Sequence, residues 1–200
     1  MQALVFYIVT SRGATLGIWP ESWPFAVQVA FALLFADLMF YLTHRALHEI
    51  PFLWRFHSIH HSVDKVYWLN SGHFHPIDTA LTSAFFIGSL HFLGVPERVL
   101  GLFWTINMVH GYLEHANVDF RLGLGNRLWN TPELHQWHHS ELIPESNKNY
   151  GKIFSVWDSV FRTWYKPVGK RVKRAGLTGD LPEKYNLWSQ FMFSFRRKFT

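Results

Sequence analysis

The 200-residue sequence contains no cysteine. That absence removes disulfides, thiolate metal sites, iron–sulfur clusters and cysteine nucleophiles together, so any metal must be held by nitrogen and oxygen. Charge is also scarce: Asp, Glu, Lys and Arg make up 16% of the chain, against 48% hydrophobic and 18% aromatic residues. Such a composition, with 10 Trp and 19 Phe, fits a membrane protein, in which Trp and Tyr collect at the interfaces. No nicotinamide or flavin fingerprint occurs, so redox chemistry requires a separate reductase. The H-E-x-x-H zinc motif is missing too. His48-Glu49 is followed by Ile50, Pro51 and Phe52, which break both the spacing and the helix.

Residues 1–9 are apolar but lack the basic start and small-residue cleavage site of a signal peptide. They are also shorter than the roughly 20 residues of a span, so they read as the end of a span or an interfacial anchor. Low-complexity segments are absent, and the one repeated pattern is made of histidine.

Eight of the 13 histidines fall in three clusters: His44 and His48; His57, His60 and His61; His135, His138 and His139. The last two share the spacing H-x-x-H-H. Thr131-Pro132 is a helix start, a capping hydroxyl followed by proline at the first helical position. On a helix running through Ser140, residues at i, i+3 and i+4 share a face. Each cluster is therefore expected to point its imidazoles toward a single point, and three such faces converging make a metal site.

The rest of the chain reads as support. Residues 25–43, FAVQVAFALLFADLMFYLT, form the clearest membrane span, with Asp37 as the only charge. An acid inside a span is costly and usually functional. Asp37 lies two helical turns before His44, where it either orients a ligand imidazole by a hydrogen bond from behind or pairs with an arginine near the water boundary. Residues 77–113 read as a hairpin turning at Gly94-Val95-Pro96-Glu97; each arm is shorter than about 20 residues, so it either crosses or re-enters. Both alternatives return His110, His115 and the third cluster to the side of the first two. Ile153, Trp157, Val160, Phe161 and Trp164 are expected on one face of a helix. The fold class expected is all-α: one domain over residues 1–200, a multi-pass helical bundle carrying a histidine-rich di-metal domain.

The net charge is +5, and ten of the 19 Lys and Arg fall between Arg162 and Lys198. Beside apolar spans this basic tail, residues 166–200, points to a cytoplasmic face near anionic lipid and not to nucleic acid. Arg45, Arg55 and Lys65 put the metal domain on that same cytoplasmic side.

One zinc takes about four ligands. Eight to eleven histidines imply two metal ions, which imidazole alone does not identify among iron, copper, zinc and nickel. At the mouth of an apolar bundle such a site meets a lipid tail, which offers only C–H bonds. Attack there requires redox chemistry with oxygen, for which iron fits best. Two other classes remain open: a zinc-dependent membrane hydrolase and a histidine-rich metal-binding or transport protein. Transport sites usually lie at mid-bilayer, whereas these clusters flank the spans. His73 and His91 read as bystanders.

The clusters and their flanks, HRALH, LWRFHSIHHS, HFHP, EHAN, NTPELHQWHHS, and KNYG ahead of WDSVFRTW, resemble the fatty acid hydroxylase/sterol desaturase superfamily over about residues 30–165. The resemblance implies an integral-membrane, non-haem di-iron oxygenase that hydroxylates or desaturates a lipid. It further implies two irons held by the eight clustered histidines with His115, while His75 and His110 are additional candidates. Oxygen would be the co-substrate, and electrons would come from an external cytochrome b5-, ferredoxin- or rubredoxin-like donor. One departure is that such proteins usually carry more membrane sequence ahead of the first cluster.

Overall fold

The computed structural model describes residues 15–179, 181–183 and 186–196. The apolar residues 1–9, and Arg197 and Lys198 of the basic end, lie outside the described residues. Helices make the whole framework: α1 Phe25–Glu49, α2 Pro51–His61, α3 Pro76–Leu93, α4 Glu97–Glu114, α5 Pro132–His138, α6 Ile143–Ser146, α7 Val156–Val160 and α8 Leu187–Arg196. Among the described residues no strand forms beyond two isolated bridges, Trp129 with Phe154 and Ser140 with Ala175.

Proline sets the helix boundaries. Ile50 is extended (φ −97°, ψ 113°), as the residue before a proline prefers; α1 therefore stops there and Pro51 opens α2 at its first position. Pro76 and Pro132 open α3 and α5 in the same way. Gly94 ends α3 with φ 83°, a left-handed conformation that a residue with a Cβ resists. Pro96 then starts α4, which closes the expected hairpin.

α1, α3 and α4 pack along one another through a core of Val29, Ala32, Ala36, Phe86, Leu90, Val99 and Phe103. Ala32 and Ala36 are fully buried, and their small side chains let the helices approach closely. The outward faces of the same helices stay apolar, with Phe31, Leu34, Phe85, Phe92, Leu102 and Val109 all exposed. Among the described residues α1 is the one helix long and apolar enough to cross a membrane, with a mean hydropathy of 2.0; α3 and α4 have 18 residues each.

One expectation is corrected. α7 has five residues, and Val160 and Phe161 are exposed, so no single apolar face runs from 153 to 164. Asp158, buried in this turn, takes up backbone N–H groups of the preceding loop, and Arg162 at φ 61° reverses the chain. The basic tail, where it is described, packs back onto the helices. Residues 174–176 run beside the end of α5, where Glu141 N–H donates to the Arg174 carbonyl and Gly176 N–H to the His139 carbonyl, each at 3.0 Å. α8 lies against α2, with Phe195 on Phe56 and Phe191 stacked on His75.

Candidate metal centre

At the end of the three-helix core, nine imidazoles form two groups. His44, His48, His57, His61 and His138 make the first; His60, His115, His135 and His139 make the second. All nine are buried, and within each group the potential ligand atoms lie within 4.8 Å of one another.

The division corrects the simple picture of one point per cluster. Successive helical residues are rotated by about 100°, so i+4 lies about 40° from i on one side while i+3 lies about 60° on the other. The i, i+4 pairs accordingly stay together: His44 with His48, His57 with His61, His135 with His139. The i+3 members cross over. His60 leaves its cluster for the second group, and His138 leaves its own for the first. Each H-x-x-H-H helix thus serves both groups.

Tautomers are fixed from behind. The Nδ1–H of His44 donates to the Tyr150 carbonyl (2.8 Å), that of His57 to Asp78 Oδ2 (2.8 Å), and that of His138 to the Lys148 carbonyl (2.8 Å). In the second group His115 Nδ1–H donates to the Gly111 carbonyl (2.9 Å) and His60 Nδ1–H to the His73 carbonyl (3.2 Å). A neutral imidazole that donates through Nδ1 carries a bare lone pair on Nε2. The Nε2 atoms of His44 and His57 nevertheless face each other at 3.0 Å, and those of His60 and His115 at 3.3 Å. Two lone pairs at that range make no hydrogen bond. With metal–nitrogen bonds of about 2.0–2.1 Å, two nitrogens on one ion stand about 3.0–3.4 Å apart, so the spacing is that of ligands. His48, His61 and His138 also leave Nε2 buried with no partner. The residues therefore fit a pair of metal ions bound through nitrogen.

Burial also keeps the rings of His60, His61, His115, His135, His138 and His139 neutral. It lowers His115 and His138 to about 3. It takes His60, His61, His135 and His139 well below the ordinary range, and repulsion from neighbouring imidazoles lowers them further. A neutral imidazole is the form that binds metal.

Not every expected residue joins. His110 Nε2–H donates to the Asn130 carbonyl at 3.0 Å. His75 caps α3, its Nδ1 accepting from Ile77 N–H. Both lie outside the two groups, as do His73 and His91. Asp37 touches no imidazole. Its carboxylate instead accepts the backbone N–H groups of Ile153 (2.7 Å) and Phe154 (3.2 Å), and so holds the loop whose Tyr150 carbonyl orients His44. The same loop is fixed by Asp158, which accepts from Tyr150 N–H and Gly151 N–H, both at 2.8 Å. Gly151 is required there, since a Cβ would overlap the Phe154 carbonyl oxygen.

Several contributors are not evident from the sequence. Asp78 orients His57; its only signal is an acid in the first turn of an otherwise apolar helix. The backbone carbonyls of Tyr150, Lys148 and His73 carry no signal at all. Glu114 and Lys152 form a partly buried ion pair at 3.1 Å, with Asn130 Nδ2 donating to the same carboxylate. A Cβ on Gly111 would meet the lysine nitrogen at 3.3 Å, so its absence makes room for that side chain.

The imidazoles open onto a cavity of about 610 Å³ between α1, α3 and α4. His44, His57, His60, His115, His135 and the Glu114–Lys152 pair line it near the metal groups; Phe86, Ile87, Trp104 and Met108 also line it, farther along the helices.

Residues 29–163 match the family model described as fatty acid hydroxylase. The chain is 38% identical to an ornithine lipid hydroxylase, OlsE, of Rhizobium tropici, over 84% of this chain and 50% of that protein. It is 29% identical to an alkylglycerol monooxygenase of Caenorhabditis elegans over 73% of this chain and 28% of the relative. It is also 29% identical to methylsterol monooxygenase 1 of Danio rerio, over 70% and 48%. The chain thus spans half or less of the length of these relatives. No solved structure matches it.

Proposed function

The chain belongs to the fatty acid hydroxylase family, and on that premise we propose that it is an O2-dependent membrane oxidoreductase that hydroxylates or desaturates a C–H bond of a lipid. The observation that carries this reading is the junction of two buried imidazole groups with a largely apolar cavity. In it, His44, His48, His57, His61 and His138 hold one iron, and His60, His115, His135 and His139 hold the other. Bound there, the two irons supply oxygen activation, with electrons from a separate cytochrome b5-, ferredoxin- or rubredoxin-like donor.

The protein's own residues do the remaining work. Asp78, Tyr150, Lys148, Gly111 and His73 lock the imidazoles in the tautomer that presents Nε2 inward. Phe40, Phe86, Ile87, Trp104 and Met108 accommodate an alkyl chain and exclude water from it. The Glu114–Lys152 pair adds a polar contact close to the imidazoles, suited to the head-group side of a lipid. The names of the relatives, an ornithine lipid hydroxylase, an alkylglycerol monooxygenase and a methylsterol monooxygenase, agree in lipid oxidation and differ in lipid.

The membrane placement belongs to the same proposal. α1 spans the bilayer, and α3 and α4, each about 27 Å long at 1.5 Å per residue, lie beside it with the turn at residues 94–98 toward the far face. Arg45, Arg55, Lys65 and the basic tail put the metal domain on the cytoplasmic side, and residues 1–200 act as one domain. Comparative lipid analysis of a host with and without the chain, under oxygen and under nitrogen, tests the activity. The expected result is an oxygen-dependent new hydroxyl or double bond in one lipid class. Identical lipid profiles with iron-loaded protein and an active reductase present would refute it.

A further inference from the structure

α5 has an outer side as well as the inner one that carries His135, His138 and His139. Glu133 and Gln136, at i and i+3, are half-buried there. Beside Gln136 lies a hollow of about 240 Å³, separate from the lipid cavity, whose wall includes Asp64, Lys65, Asn117, Lys173 and Arg174. Chain neighbours tie this hollow to the second imidazole group. Gln136 follows His135, and Asn117 stands two residues after His115. Ala175, also in the wall, bridges to Ser140, and the next residue, Gly176, donates its N–H to the His139 carbonyl at 3.0 Å. A Cβ on Gly176 would meet the Val63 carbonyl oxygen at 3.2 Å. Residues 174–176 therefore pass closely between the chain just after α2 and the end of α5, the two helices that serve both groups.

The hollow is basic. Lys65, Lys173 and Arg174 are all exposed. Arg174 has Glu141 at 3.7 Å, whereas Lys65 and Lys173 have no carboxylate partner among the described residues. Arg121 and Arg171, the latter two residues before Lys173, share the one carboxylate of Asp119. Five cations (Lys65, Arg121, Arg171, Lys173 and Arg174) thus stand against three acids (Asp64, Asp119 and Glu141), so the face attracts a negatively charged partner. An anionic membrane would also meet those cations, but it gains nothing from a position against the second metal group. An electron carrier does, because electron transfer weakens steeply with distance.

Resting on the lipid-oxygenase reading above, we propose that this hollow docks an acidic one-electron carrier protein and is where electrons enter, toward the metal held by His60, His115, His135 and His139. Hydroxylation converts O2, one lipid C–H bond, two electrons and two protons into C–OH and one water. Desaturation takes the same O2, electrons and protons with two C–H bonds, and yields C=C and two waters. In either case two reduced carriers each give up one electron per turnover and leave oxidised. The first must depart before the second docks, which suits a weak, charged contact. Electron-transfer encounters use small interfaces, and charge complementarity sets how fast they form. Two unpaired lysines beside the second group meet that requirement.

The chain has no cysteine of its own, so Asn117→Cys takes a single polarity-sensitive fluorophore inside the hollow. The labelled, zinc-loaded full chain in phosphatidylcholine nanodiscs is titrated with three acidic carriers: a soluble cytochrome b5 domain, a plant-type ferredoxin and a rubredoxin. At least one is expected to shift the emission saturably, with an affinity that falls as salt is added. Lys173→Glu is expected to weaken that binding at least about tenfold; Lys65→Glu replaces it if the first variant fails to take up zinc. Arg196→Glu, a reversal on α8 outside the hollow, is expected to stay within about twofold of the parent. Binding that the reversals in the hollow leave unchanged, or no binding by any of the three carriers, overturns the proposal. A shift produced by phosphatidylserine nanodiscs without a carrier also overturns it, and gives the hollow to the membrane. Comparative lipid analysis separates this failure from that of the reading beneath it. A wild-type chain that oxidises lipid while no carrier engages the hollow loses the docking site alone; one that leaves every lipid unchanged loses both.

Discussion

His44 and His57 face each other through Nε2 atoms 3.0 Å apart, each with its other ring nitrogen already committed, to the Tyr150 carbonyl and to Asp78. Two lone pairs so close repel unless a cation lies between them. The two residues come from helices on either side of Pro51, and the residues behind them hold that opposition in place.

Asp78 is therefore expected to matter as much as a ligand. Asp78→Asn keeps an acceptor oxygen but loses the charge that favours Nδ1–H on His57. Loss of such a partner typically costs about 10- to 100-fold in metal affinity. Competition titration against a chromophoric chelator measures it; unchanged affinity would mean that packing alone orients His57.

Histidines inside and outside the groups should separate cleanly. His138→Ala takes one nitrogen from the first group and is expected to lower metal content and abolish activity while the helical core persists. His91→Ala is expected to leave both near normal, since His91 joins neither group. Metal analysis of the two purified variants decides; equal losses would show that the assignment of ligands is wrong.

Asp37→Ala strands two backbone N–H groups, of Ile153 and Phe154. Buried donors without partners cost about 1–3 kcal/mol each, so the variant should unfold at lower denaturant and show faster hydrogen exchange in residues 150–154. Metal should be loosened and not lost, because the effect reaches His44 through the Tyr150 carbonyl. Exchange as slow as in the wild type would remove Asp37 from that role.

Asp158 gives a pH dependence. Burial pushes its carboxyl up to about 6 from an ordinary 3.8, against hydrogen bonds from Thr163 and the Tyr150 and Gly151 backbone. A carboxyl raised on folding holds its proton more tightly in the folded state. Its contribution to stability is present below about 3.8 and is lost as pH rises through about 6, to a total of about 3 kcal/mol at most. The wild-type melting temperature should accordingly fall more between pH 4 and 7 than that of Asp158→Asn. Parallel slopes would assign the titration elsewhere.

Much of this was legible in the sequence because it depends on local rules. Pro51, Pro76 and Pro132 mark helix starts, Gly94 marks a helix end, and i, i+4 pairs such as His44 and His48 share a face. What was not legible depends on distant contacts. The exchange of His60 and His138 between groups needs three helices in place at once. The partners of Asp37 lie 116 and 117 residues away, and carbonyl groups such as that of Tyr150 carry no residue-specific signal. His75 and His110 looked like candidates because a histidine's type is visible in sequence, whereas the direction of its ring is not.

The central claim, two metal ions held by nine histidines, is tested most directly by metal stoichiometry. Protein reconstituted with ferrous iron under nitrogen, freed of loose metal and assayed by elemental analysis, should contain two irons per chain. Removing one second-group nitrogen in His60→Ala should reduce that number toward one while the first group keeps its iron. One iron per chain in the wild type, with His60→Ala unchanged, would contradict the account.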